Sequence, residues 1–323
     1  MEIGIIGCGL IGRKRSQNLS GATLISCADI DLEQAQKLAK PFHGCVVSTN
    51  WIDVVAHPEV KLVIIATPHN LLAEIALACI TAGKHILIEK PASRNTRELQ
   101  SVIAMAANSK IMVRVGFNHR YHRALQQAHK LVAQQMIGDL MFIRARYGHG
   151  GRLGYDAEWR AQPEISGGGE LIDQGVHLID LARWFLGEFV DIQGFAPTYY
   201  WKMPVDDNGF LLLKTNRQQV AFLHASCTEW KNIFSFEIYG KTGKLEINGL
   251  GGSYGVERLS YYKMLPEMGP PETTIWEYPM EDNSWKTEFN EFLEDIQLGR
   301  PPSATLHDAY AALKIVETIC NNC

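Results

Sequence analysis

The sequence of 323 residues lacks the marks of several protein classes. It has no long hydrophobic run: LVIIA at 62–66 is typical of its apolar stretches, against the roughly 20 residues that a membrane helix needs. It has little excess of either charge. The 31 Lys and Arg stand against 35 Asp and Glu, a formal net charge of −4, so no global field draws the chain to nucleic acid or to an anionic membrane. Met1 leads straight into apolar sequence with no basic segment or cleavage site, and no export signal is expected. Internal repeats and low-complexity tracts are missing as well. The seven cysteines are odd in number and scattered, which argues against a disulfide framework and for reduced thiols in a cytoplasmic protein. Cys320-Asn-Asn-Cys323 has CxxC spacing, yet it follows a helix rather than opening one after a strand, so no redox or metal role is expected of it.

What is present is the composition of a folded globular protein, 46% hydrophobic and 20% charged, over a length that suits two domains. The first third alternates β-rich runs with helical stretches, the pattern of a parallel α/β sheet. Strands are expected at Glu2–Ile6, Thr23–Ala28, Leu62–Ala66, His85–Ile88 and Ile111–Val115, with helices near 12–19, 31–39, 70–82 and 94–108. Near residue 118 the rhythm changes, which divides the chain into 1–118 and 119–323. The second part has a helix near 122–135, the strand MFIRARY, a Gly-rich loop and the stretch GGGELIDQGVHLID. Strands joined by tight turns follow (GFLLLKT, QQVAFLHASC, FSFEIYG, KLEING), and two helices near 284–298 and 305–320 close the chain, so this part reads as α+β.

Gly7-Cys8-Gly9-Leu10-Ile11-Gly12 follows a strand and opens a helix, the context in which GxGxxG signals a dinucleotide site. Gly7 allows the tight turn, Gly9 lets the backbone approach a pyrophosphate, and Gly12 permits close helix–strand packing. Asp29, at the end of the second strand, suits the two ribose hydroxyls of adenosine and would repel a 2′-phosphate, which favours NAD over NADP. Arg13, Lys14 and Arg15 are read as a solvated basic face of the first helix. Thr67-Pro68 and Glu89-Lys90-Pro91 end two further strands, at the carboxyl edge where doubly wound sheets bind ligands.

Together with the later GGGELIDQGVHLID stretch, these motifs resemble the Gfo/Idh/MocA family of sugar and cyclitol oxidoreductases, and the resemblance runs over nearly the whole chain. It implies an N-terminal Rossmann domain with a doubly wound parallel sheet, then an α+β domain on a large, open, mainly antiparallel sheet. It also implies hydride transfer between a nicotinamide cofactor and a sugar hydroxyl, with the family's catalytic residues at Lys90, Asp173 and His177. Family members commonly pair through the C-terminal sheet. Strands such as GFLLLKT carry apolar residues on both faces, and a homodimer or homotetramer is expected.

The residue types suit the chemistry. A base that titrates near neutrality favours His177. Asp173, four residues earlier, either orients the imidazole or binds the substrate hydroxyl. Lys90 would offset the negative charge that develops on the alcohol oxygen. Other readings of the pair are a capped helix with a supporting Asp–His contact, or two metal ligands joined by His149 and Glu170, for which the sequence offers no convincing cluster. The three glycines are expected to clear space where cofactor and substrate approach. Asn118 and Arg120 are candidate cleft residues, or else hold the chain where it leaves the first domain. Trp159-Arg160 resembles a recurrent family pair, with Arg160 a candidate for contact with the ligand or for a stack on an aromatic ring.

The stretch from Arg144 to Arg160 is rich in arginine beside aromatics, and Arg152 in particular suits a phosphate. The expected substrate is therefore a nucleotide-diphosphate sugar, with a free sugar or inositol as the alternative; the other reading of the stretch is a solvated basic strand or a subunit contact. Two further possibilities are an NAD-binding sensor without turnover and a metal-dependent lyase on the same fold.

Overall fold

The computed structural model describes residues 1–320; Cys323 of the CxxC spacing lies outside them. The chain begins with β1 (Glu2–Ile6), α1 (Leu10–Gln17), β2 (Thr23–Ala28), α2 (Leu32–Ala39), β3 (Val46–Ser48), α3 (Trp51–Ala56), β4 (Leu62–Ile65), α4 (His69–Thr81), β5 (His85–Glu89), α5 (Thr96–Ala107) and β6 (Val113–Gly116). It continues with α6 (Arg123–Ala133), β7 (Leu140–Gly148), α7 (Pro163–Ser166), a π-helical turn at Leu171–Gly175 and α8 (Val176–Leu186). Then come β8 (Phe189–Phe195), β9 (Asn208–Thr215), β10 (Val220–Ser226), β11 (Ile233–Gly240), β12 (Gly243–Asn248), β13 (Glu257–Lys263), β14 (Glu272–Tyr278), α9 (Ser284–Leu298) and α10 (Leu306–Cys320).

Two compact units result. The first comprises Met1–Phe117, Glu164–Gly167 and Trp285–Leu313, and the second Asn118–Pro163, Gly168–Ser284 and the residues from Lys314. In the first, six parallel strands run in the order β3-β2-β1-β4-β5-β6. β4 is buried along its whole length, because helices cover both faces of such a sheet. Asn95 caps α5, its side-chain oxygen accepting the Glu98 N–H at 2.9 Å. The order reverses between β1 and β4, and the loops after these two strands hold Gly7–Gly12 and Thr67-Pro68.

A division into two contiguous segments does not describe this unit. Phe289, Phe292 and Leu293 of α9 join its core beside Ile3, Ile5 and Leu24, so distant sequence completes it.

In the second unit eight strands run in the order β14-β13-β12-β11-β7-β10-β9-β8, all neighbours antiparallel except β7 and β10. α8 packs on β7 and β10, and α6 on β12, β13 and β14. On β7 and β9–β10, Phe142, Leu212 and Phe222 stay partly exposed. Among the described residues no helix is long and apolar enough to cross a membrane.

Candidate active site

The first unit forms a cradle at the carboxyl ends of β1, β2 and β4. Gly7 has φ +90, and a Cβ there would lie 2.5 Å from the Ala66 carbonyl oxygen, so this turn requires glycine. A Cβ on Gly12 would lie 1.9 Å from the Gly7 oxygen, which is how closely α1 returns to its strand. Around Gly9 nothing lies within 4 Å of that position, so the backbone is open to a ligand. Leu10 and Ile11 form the first turn of α1, Leu10 being exposed. Asp29 accepts the Cys8 N–H at 2.6 Å through one oxygen and the Asp31 N–H at 2.9 Å through the other. Each oxygen keeps a lone pair for a ribose hydroxyl. The Thr67 hydroxyl is buried with no hydrogen-bond partner among the described residues, and Pro68 leads into α4. An open glycine, an anchored carboxylate and an orphaned hydroxyl fit a dinucleotide.

Beside this cradle the structure corrects the reading of the basic run. Arg15 is 1% exposed, not part of a solvated face. Its Nε donates to Glu89 at 2.7 Å, its other end pairs with buried Glu288, and Trp285 stacks on the guanidinium at 4.4 Å. Glu89, a candidate cofactor ligand by sequence, thus directs its carboxylate to Arg15. Gly116 makes room for this pair, since a Cβ would lie 3.0 Å from both Glu89 oxygens. Burial pushes the Glu288 carboxyl above its usual range despite the attraction of Arg15. Lys90 follows directly on Glu89.

Two glycines of the triplet are required by packing. Gly167 has φ +79, and a Cβ would lie 2.6 Å from the Arg94 carbonyl oxygen; a Cβ on Gly169 would lie 1.9 Å from that of Asp206. These glycines let backbone pack on backbone. Asp206 in turn accepts the N–H groups of Gly169 and Leu171 at 2.9 and 2.7 Å. Burial raises its pKa to about 6, in opposition to those two bonds.

The π turn that follows places Asp173 and His177 in the second unit, both buried. Such turns are frequent at functional sites. The Arg160 Nε lies 2.8 Å from an Asp173 oxygen, with the Trp159 ring 4.5 Å from the guanidinium. Burial alone would lower the Arg160 pKa, but the Asp173 charge and hydrogen bond raise it above its usual value. The His177 ring meets His119 edge to face at 3.8 Å, with Tyr147 5.1 Å from His119. Nearby, the His149 Nδ1 accepts the Gly151 N–H at 2.9 Å, and its Nε2 lies 3.7 Å from Glu170. Burial holds the His149 pKa down. The Tyr155 hydroxyl lies 3.4 Å from the same carboxylate. Among the described residues no group of three or more His, Cys, Asp or Glu side chains is arranged to hold a metal.

Comparison with known proteins adds a family to this geometry. Residues 1–117 match the oxidoreductase family with an NAD-binding Rossmann fold, and residues 125–246 match the GFO/IDH/MocA C-terminal domain. The chain belongs to the Gfo/Idh/MocA family. A levoglucosan dehydrogenase of Pseudarthrobacter phenanthrenivorans is 30% identical over 230 residues, 67% of this chain and 59% of that protein. An inositol 2-dehydrogenase of Gluconacetobacter diazotrophicus is 31% identical over 226 residues, 67% of this chain and 64% of that one. The matched stretches thus span less than two thirds of these relatives. A solved levoglucosan dehydrogenase in complex with NADH and levoglucosan shares the fold, with a TM-score of 0.89 at 24% identity over 99% of this chain and 96% of that one.

Several Gfo/Idh/MocA candidate residues are committed to partners within their own unit. Arg120 donates to buried Asp180 through two nitrogens, at 2.8 and 2.5 Å, and Asn118 to the Ser284 hydroxyl at 3.0 Å. Both sets of contacts are to side chains of the second unit. Arg152 is exposed and paired with Glu158, and Arg144 pairs with Glu237 and Tyr239 on the sheet. Sequence reading gave no role to His119, Asp206 or Glu288 and took Arg15 for a solvated residue; these depend on contacts that no local spacing announces.

Proposed function

We propose that the chain is an NAD-dependent dehydrogenase that acts on a secondary hydroxyl of a free sugar or cyclitol. The arrangement that carries this reading is the π turn: a carboxylate paired with Arg160 at 2.8 Å, then a buried histidine one turn later. Its relatives' names, levoglucosan dehydrogenase and inositol 2-dehydrogenase, support the substrate class. The nucleotide-sugar expectation has less support, because Arg152, its candidate phosphate ligand, and Arg144 of the same arginine-rich stretch are each answered by a glutamate.

In this reading His177 takes the hydroxyl proton during oxidation and returns it during reduction. Asp173, fixed by Arg160, orients the alcohol or the imidazole. Lys90 stabilises negative charge on the alcohol oxygen as it develops. Bound NAD supplies the hydride acceptor. Gly7, Gly9, Leu10, Ile11 and Gly12 would hold its pyrophosphate, with Thr67 and Pro68 beside them, while Asp29 selects NAD by accepting both ribose hydroxyls. The exposed Phe142, Leu212 and Phe222, with the Arg144–Glu237 pair among them, support assembly of a homodimer or tetramer through the sheet. The free thiols among the described residues suit the cytoplasm.

The test is reduction of NAD or NADP at 340 nm with free sugars, anhydrosugars, inositols and nucleotide sugars. Turnover of free polyols with a preference for NAD is expected; turnover of nucleotide sugars alone would refute the proposed substrate class.

A further inference from the structure

The dehydrogenase reading makes no use of an exposed aromatic cluster in the second unit. Tyr199, Tyr200 and Trp230 are 73%, 54% and 71% exposed, although large rings are seldom left in water without a use. They are held in place. Buried Asp207 accepts the backbone N–H groups of Tyr199, Tyr200 and Trp201 at 2.9, 2.7 and 3.0 Å. The Trp201 indole donates to the Cys227 carbonyl at 2.9 Å. Trp230 has φ +56, a left-handed backbone that is rare for so bulky a residue and concentrates at ligand sites. Gly150 lies close against it, for a Cβ there would come within 3.1 Å of the Trp230 Cα.

The Tyr200 and Trp230 rings meet at 83° with centroids 4.8 Å apart, forming a floor and a wall. A line of rings leads inward from this corner: Tyr200 to Trp201 at 5.1 Å, then Trp201 to Tyr155 at 5.5 Å. Tyr155 reaches Glu170, three residues before Asp173. The line of rings thus ends at Glu170, in the segment that also carries Asp173.

We infer that this corner is a subsite for a second sugar ring, so that the substrate is a glycoside and not only a free monosaccharide. The inference rests on the reading of the chain as a sugar dehydrogenase and deepens it. A pyranose presents a flat face of C–H groups, which packs on an aromatic face, and a rim of hydroxyls. Lys202 and Lys231, exposed and next in sequence to Trp201 and Trp230, offer donors to that rim. Fixed rings that need no rearrangement bind a rigid ring with little loss of entropy.

The experiment compares calorimetric binding of glucose, cellobiose and maltose to the NADH-loaded protein, with NAD turnover measured in parallel. Trp230→Gly and Tyr200→Ala are the variants; glycine suits the left-handed backbone, so the first variant relieves strain rather than adding it. At least one disaccharide should bind about tenfold more tightly than glucose, within the range of an aromatic stack. That gain should vanish in both variants while glucose binding stays within about twofold. Equal affinity for glucose and both disaccharides in the wild type would overturn the subsite. So would a disaccharide gain that survives Trp230→Gly, above all if that variant changes the sedimentation of the oligomer, which would make the corner a subunit contact. Glucose turnover without a disaccharide gain sinks the subsite alone. A Trp230-dependent gain with no turnover of any sugar supports the subsite and sinks the dehydrogenase.

Discussion

Arg15→Met removes the guanidinium that answers two buried carboxylates at once. The side chains of Arg15, Glu89 and Glu288 are 1%, 8% and 0% exposed, and Gly116 leaves no slack around Glu89. Removal of one partner from a buried ion pair typically costs about 3–5 kcal/mol, because the remaining charge has lost its solvent and its counterion. Methionine keeps much of the volume, so the cost is chiefly electrostatic. The carboxylates can escape part of it by taking up protons. Burial already raises the Glu288 pKa with Arg15 present, and without Arg15 it rises further. The folded variant then binds more protons than its unfolded chain, so its stability falls as pH rises through that window. The defect should therefore be largest at pH 8 and shrink toward pH 5. Urea unfolding of wild type and variant at both pH values measures it, and Arg15→Met/Glu288→Gln should recover part of the loss, because the two sites are coupled. A defect below about 1 kcal/mol, or one of equal size at both pH values, would refute this account of the triad.

Two other substitutions address the cradle and the turn. Asp29→Ser should raise the KM for NAD by tenfold or more and improve the ratio for NADP, as measured by initial rates with each cofactor, since a charged acceptor of ribose hydroxyls contributes about 1.5–3 kcal/mol. Gly169→Ala places a Cβ where the Asp206 carbonyl stands, 1.9 Å away. A loss of about 2–3 kcal/mol in urea unfolding is expected. Activity should fall with it, because the Asp173 N–H bonds to the Gly169 carbonyl at 3.1 Å.

Much of the first unit was legible because its signals are local. The alternation of apolar runs with capped helices marks β1, β2, β4, β5 and β6 within a residue or two, and GxGxxG states its own geometry. Val46–Ser48 and Trp51–Ala56 went unread because three and six residues are too few to show a period. β14, ETTIWEY, is an edge strand with little burial, and its sequence has no apolar face to betray it. The return of α9 to the first core depends on Phe289 and Phe292, which are apolar residues on a helix like any others until the chain is folded. At the site, the spacing of Asp173 and His177 was plain in the sequence. The buried state of Arg15 was hidden, because Glu288 lies 273 residues away. Arginines beside aromatics suggested a phosphate site for the same reason: the carboxylates that answer them, Glu158 and Glu237, come from elsewhere on the loop or from the next strand.

The assignment of His177 as the acid–base group is tested most directly by the pH–rate profile of His177→Asn. NAD reduction should be followed at 340 nm from pH 5 to 10 with the best free sugar or cyclitol, and NADH binding measured alongside. The account predicts a fall in kcat of about 10²–10⁴-fold, the range of a lost general base. The loss of rate on the acidic side should disappear, while NADH affinity is unchanged. A variant that keeps more than about a tenth of wild-type kcat, with the acidic limb intact, would contradict it.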